Sequence, residues 1–178
     1  KGHTLTVNID TTASSSNAVV FGINNGTIVN LGVTGTIKSA SGYAAFVRKN
    51  NGNIVNCFVN ANVSDTGSTG NGFTISNYGK IENVYFAGFA SDHPICASGT
   101  VTNGYYVKGS TYATSTAGTV VEVEAAKTTL AETLAGGLSS AAALLGGTTE
   151  DLNTWQYLDG MDYPVLKLKT PEVTGITV

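Results

Sequence analysis

A short phrase, Gly-x-Ile-x-Asn, recurs along this chain at nearly fixed spacing and restricts its fold more than any other feature. It reads Gly26-Thr27-Ile28-Val29-Asn30, Gly52-Asn53-Ile54-Val55-Asn56 and Gly79-Lys80-Ile81-Glu82-Asn83, with a fainter copy at Gly99-Thr100-Val101-Thr102-Asn103. The glycines stand 26, 27 and 20 residues apart, a spacing that signals stacked repeats. Aligning the copies on glycine produces columns of one chemical character. Asn24, Asn50 and Asn77 precede it, while Asn30, Asn56, Asn83 and Asn103 follow. Ile28, Ile54, Ile81 and Val101 form an aliphatic column, and Val33, Val59, Phe86 and Tyr106 form a larger apolar one.

Helical repeats would show apolar stripes at a 3.6-residue period. Here apolar residues alternate over short β-branched runs bounded by Gly and Asn. Short strands that return to the same place in every copy describe a parallel β-solenoid. The expectation is a right-handed parallel β-helix of about four coils, each about 4.8 Å above the last. The Ile column would then stack inside. Asparagine at a corner tolerates left-handed backbone angles and can form axial amide ladders. Glycine beside it is expected to supply the positive φ of a tight corner.

The phrases Val20-Phe21-Gly22-Ile23-Asn24-Asn25-Gly26-Thr27-Ile28-Val29-Asn30-Leu31 and Gly52-Asn53-Ile54-Val55-Asn56-Cys57-Phe58-Val59 resemble the GLUG-type repeat of bacterial surface proteins. Gly2-His3-Thr4-Leu5-Thr6-Val7 resembles the strand that opens such β-helices, and Trp155 with Tyr163-Pro164-Val165-Leu166 resembles the segment that closes them. The resemblance covers roughly residues 2–169. Glu172-Val173-Thr174-Gly175-Ile176-Thr177-Val178 resembles the first strand of a bacterial immunoglobulin-like (group 2) domain. Arg48 and Ile75 depart from the usual small residue before the first Asn, and the fourth copy lacks that Asn and several other residues. An irregular fourth coil is therefore expected. The resemblance implies an extracellular or cell-wall setting, with export signal and anchor lying outside this chain.

Three segments are expected: coils over 1–117, a C-terminal α/β cap of the same domain over 118–169, and a linker into the immunoglobulin-like neighbour over 170–178. Leu130, Leu134 and Leu138 recur every four residues, and Thr129 with Glu132 matches a capping box. This predicts helix over 127–145, broken at Gly136-Gly137. Val120, Val121 and Val123 suggest one more short strand, Asp159-Gly160 a turn, and Tyr163 to Leu168 a final strand. A solenoid's last coil exposes unpaired backbone and apolar core, which gives this block its purpose.

Charged residues are only 12% of the 178 and the net charge is −3, so a basic nucleic-acid face is excluded. There is no apolar run near the length of a membrane span, and direct membrane insertion is not expected. Cys57 and Cys96 fall on different coils, too far apart for a disulfide, which predicts two free thiols. A polysaccharide-processing enzyme would need converging carboxylates. The repeats hold only Asp65, Glu82 and Asp92, at different coil positions. Glu82 reads as a solvated surface acid beside the Asn corner. Asp159 and Asp162 bracket a turn, while His3 and His93 lack a ligand partner at metal spacing.

No catalytic residue, metal site or cofactor is assigned. Tyr105, Tyr106 and Tyr112, with Trp155, Tyr157 and Tyr163, offer the one ligand hint, since exposed rings stack on sugar faces. Tyr106 and Trp155 equally suit plugging the end of the core. Thr pairs at Thr4/Thr6, Thr34/Thr36 and Thr100/Thr102 raise an ice-binding alternative, but they share no single column. The leading expectation is a non-catalytic module for adhesion or rigid spacing, monomeric within a longer chain, facing a glycan or a surface protein. The alternative is a carbohydrate-binding module using Tyr105, Tyr112, Trp155 or Tyr157. A polysaccharide-processing enzyme ranks third.

Overall fold

A computed structural model describes residues 2–14, 16–40, 43–66, 70–109, 120–124 and 127–169. The first winding comprises β1 (His3–Asp10), β2 (Ala18–Asn24) and β3 (Thr27–Val29). The second comprises β4 (Leu31–Ser39), β5 (Ala44–Asn50) and β6 (Asn53–Val55). The third runs through β7 (Phe58–Asp65), β8 (Gly70–Asn77) and into β9 (Lys80–Phe86). Each strand pairs in parallel with its counterpart one winding on. One sheet runs β1-β4-β7-β9, another β2-β5-β8, and β3-β6-β9 makes the third side. The result is a parallel β-solenoid of about three turns, one fewer than expected.

The shortened fourth window accounts for the difference. β10 (Phe89–Ala90) still pairs with β7, and β11 (Thr100–Val107) pairs with β9. Among the described residues, however, no strand follows β8 in the second sheet. The chain at Pro94–Cys96 takes its place, and the Ile95 carbonyl accepts the amides of Phe73 and Thr74 at 3.2 and 3.0 Å. β12 (Val120–Val123) adds a last parallel rung to β11.

Register carries the columns through the stack. Ile28 pairs with Ile54, Ile54 with Ile81, and Ile81 with Val101. Val33, Val59, Phe86 and Tyr106 align in the same way. Both columns belong to the interior core, with Phe46 and Phe73 meeting edge-on at 5.9 Å between ring centroids. Cys57 and Cys96 are buried free thiols in this core. Burial pushes both thiols up to about 12, because the apolar surroundings disfavour a thiolate.

The corners reveal a division of labour between Asn and Gly. Asn30, Asn56, Asn83 and Asn103 hold φ of 55°, 51°, 53° and 50°. The left-handed backbone therefore sits on asparagine, which accepts it more readily than most residues. Gly26, Gly52 and Gly79 do not have positive φ, so for these three the expectation of a glycine-supplied corner angle is corrected, whereas Gly99 of the fainter copy does hold one, at 107°. For Gly52 and Gly79 the reason is axial contact. A Cβ on Gly52 would lie 1.9 Å from the Gly26 carbonyl oxygen, and one on Gly79 would lie 1.9 Å from that of Gly52.

The C-terminal block holds α1 (Lys127–Gly136), α2 (Leu138–Leu144), a 3-10 turn (Thr149–Asp151), β13 (Trp155–Gln156) and β14 (Val165–Leu166). The helix break falls at Gly136-Gly137. Thr129 lies inside α1, so it does not cap its start; the capping box is at Thr148 and Asp151 instead. The final strand is short, and β14 pairs antiparallel with β13.

This block lies as a strap along the solenoid's flank. Its second core joins Leu130, Leu134, Trp155 and Leu166 to the outward residues Phe58 and Tyr85. A third packs Leu138, Ala141, Ala142 and Leu152 on Val55. The reason is legible in the strands: Phe58 precedes inward Val59, and Tyr85 precedes inward Phe86. Consecutive apolar residues bury both faces of a sheet, so the outer face needs a cover.

Candidate functional site

Two asparagine ladders organise the corners. In the first, Asn24 Nδ2 donates to Asn50 Oδ1 at 2.7 Å and Asn50 Nδ2 to Asn77 Oδ1 at 2.8 Å. In the second, Asn56 Nδ2 donates to Asn30 Oδ1 at 2.7 Å and Asn83 Nδ2 to Asn56 Oδ1 at 2.9 Å. All are buried. The second ladder is also where the strap docks. Asn30 Nδ2 reaches the Asp151 carbonyl at 3.1 Å, Asn56 Nδ2 the Asn153 carbonyl at 2.8 Å, and the Asn153 amide donates to Asn30 Oδ1 at 3.0 Å. Such bonds leave few ladder atoms available to a ligand.

Glu82 is not a solvated surface acid. It is 7% exposed, because α2 covers it. Its Oε1 accepts from Ser140 Oγ at 2.6 Å and Asn103 Nδ2 at 3.4 Å. The carboxylate therefore fastens the helix to the last part of the ladder. Asp65 is buried among the rungs, and Asp92 Oδ1 lies 2.9 Å from the imidazole of neighbouring His93. Among the described residues, no three of His, Cys, Asp and Glu gather as metal ligands would, and no helix is long and apolar enough to cross a membrane.

The aromatic residues chosen from the sequence do not form one exposed platform. Trp155 is 8% exposed; its ring meets Tyr85 edge-on at 5.5 Å and Phe58 at 6.2 Å. It offers no open face for a sugar, so its assignment as a ligand contact is corrected to a core role. Tyr105 and Tyr157 are half-buried, and burial raises both phenols above their ordinary range. Tyr112 lies outside the described residues. Thr6 and Thr34 do pair across rungs, their hydroxyls 3.0 Å apart. The next residue in that column is Asn60, so the threonine array ends after two members.

A groove of about 830 Å³ lies between the outer sheet face and the β13–β14 region of the strap. Thr4, Thr34 and Asn60 floor one side, with the edges of Phe58 and Tyr85 behind them. Leu158, Met161, Tyr163 and Leu168 wall the other side. The rings of Phe58 and Tyr85 are stacked, 5.4 Å apart and 8° from parallel, and the Tyr85 hydroxyl donates to the Pro164 carbonyl. This fixes the strap's standoff from the sheet. Sequence reasoning missed the groove because its two walls are about a hundred residues apart in the chain. The one available signal was the paired apolar residues Phe58-Val59 and Tyr85-Phe86, which imply an occupied outer face.

No family model, curated protein or solved structure matches this chain.

Proposed function

We propose that this chain is a non-catalytic, shape-holding module of a larger surface or secreted bacterial protein, acting in adhesion or as a rigid spacer. The observation that carries the reading is the unbroken register of the long sheet. Parallel pairing runs from β1 through β12, with buried amide ladders alongside. A body built this way resists bending, since any bend must break several rungs together. Its residues 170–178, outside the described residues, fit this reading as the lead into an immunoglobulin-like neighbour. The counterpart of an adhesive role would be a surface glycan or protein, met by a single copy of this chain.

Force spectroscopy on the chain held between folded handle domains tests the reading. A spacer unfolds in one high-force event with a contour-length gain matching the whole β-solenoid. Stepwise yielding of single rungs at low force contradicts it. So does polysaccharide turnover that persists through stringent purification and is abolished by substituting a residue of this chain.

A further inference from the structure

We propose that the groove between the outer sheet face and the strap is a binding site for an uncharged, largely apolar small molecule carrying one or two hydrogen-bonding groups. Its volume of about 830 Å³ lies in the range of pockets that enclose drug-sized ligands, roughly 300–1,000 Å³. The chemistry of its walls selects the class. Leu158, Met161 and Leu168 are all exposed, and all three lie on this one groove. Large apolar side chains gathered around a concavity mark a binding surface more often than chance exposure.

The polar groups are few, and apart from His3, Asp162 and Lys167 they carry no charge. Thr4 and Asn60 line the sheet side and Gln156 the strap side. Two amides and a hydroxyl facing each other across an apolar gap suit a carbonyl or hydroxyl held at a fixed depth. Thr34 is less available, because its hydroxyl is shared with Thr6 at 3.0 Å. At the rim stand Asp162 and Lys167, one of each sign. Their fields largely cancel, so neither an anion nor a cation is drawn in. A sugar chain is a poor fit as well. The two rings at the back, Phe58 and Tyr85, are fully buried, leaving Tyr163 as the one remaining aromatic on the groove among the described residues. Sugars would also leave most of their hydroxyls against leucine and methionine.

The site is independent of the spacer reading, which needs only the stiff stack. It would make the strap side of the module a carrier or sensor of an apolar compound.

The test uses the whole chain and N-phenyl-1-naphthylamine, a neutral dye that brightens in apolar surroundings. One saturable site is expected, with displacement by 1-decanol and none by malto- or cello-oligosaccharides. Side-chain amide signals of Asn60 and Gln156 should shift in the NMR spectrum on binding. Leu158→Glu and Met161→Glu, both at exposed positions, should each weaken binding at least about tenfold, because a charge at the mouth must be desolvated. Thr34→Trp fills the floor from the sheet side and should abolish binding with every strap residue left unchanged. Circular dichroism confirms that each variant keeps its fold. Absence of saturable binding overturns the proposal. So does dye binding unchanged by both glutamates, displacement by oligosaccharide instead of decanol, or amide shifts confined to other residues.

Discussion

Gly52 and Gly79 are held by the rung beneath them and not by their own backbone angles. Each Cβ would meet a carbonyl oxygen at 1.9 Å, whereas Gly26 in the first winding has nothing within 4 Å. The same repeat position therefore carries unequal constraint. Gly26→Ala should leave stability within about 0.5 kcal/mol of the parent. Gly52→Ala and Gly79→Ala should each cost about 3 kcal/mol or more, because a backbone carbonyl cannot swing aside as a side chain can. Urea denaturation of the three variants checks this; equal losses would mean that the glycines are not set by stacking.

Asn56 is the residue-scale counterpart. It is fully buried, at φ of 51°, and its amide makes three bonds, to Asn30, Asn83 and the Asn153 carbonyl. Asn56→Ala leaves those partners unsatisfied and forces alanine into a left-handed angle. Losing the amide should cost roughly 3 kcal/mol, and the angle about 1 kcal/mol more. Asn56→Gly escapes the second cost, so it should be the milder variant despite having no side chain. Midpoints of chemical unfolding decide the order.

The strap belongs to the scale of elements, where the sequence was informative about kind but not about place. Leucine spacing located both helices and the Gly136-Gly137 break, because these depend on local periodicity. Which side of the solenoid they cover depends on long-range pairing of Tyr85 with Pro164 and Glu82 with Ser140. No local pattern encodes those contacts. The strap reads as an end closure until Phe58 and Tyr85 are recognised as an outer apolar column. The groove stayed hidden for the same reason.

Tyr85 gives this element a pH dependence. Burial, with Tyr157 and Tyr163 nearby, holds its phenol well above the ordinary value of 10.0. In the unfolded chain the group ionises near pH 10, while in the folded chain it stays neutral. Its contribution is therefore intact below pH 10 and is lost as pH rises beyond it. Tyr85→Phe should cost about 1 kcal/mol at neutral pH, from the lost bond to Pro164. It should also be less sensitive to pH above 10, so that parent and variant stabilities converge. Buried Cys57 and Cys96 titrate in both proteins and cancel in the comparison. Parallel stability curves between pH 7 and 11 would refute the role assigned to this hydroxyl.

At the scale of the whole molecule, the strap changes what a solenoid normally does. Repeat stacks are held by nearest neighbours and can fray from an end. Here the strap's core reaches Val107 near the last rungs, while Asn153 and Lys167 close around Gly2 at the first. The two ends are thereby coupled through one element. Within the first winding the coupling is uneven. β1 pairs with β4 and has the strap over its start, whereas among the described residues β2 pairs only with β5 and lies on a sheet the strap's cores do not include. Local opening costs less where fewer contacts must break. Amides of β2 should then exchange with solvent faster than those of β1, although both are edge strands of the same winding. Amides of central β7, paired on both sides, should exchange slowest and at the rate of global unfolding. Hydrogen-exchange mass spectrometry resolves the three strands. If β1 and β2 exchange alike, the strap adds nothing to the first winding, and the molecule behaves as an ordinary stack of rungs.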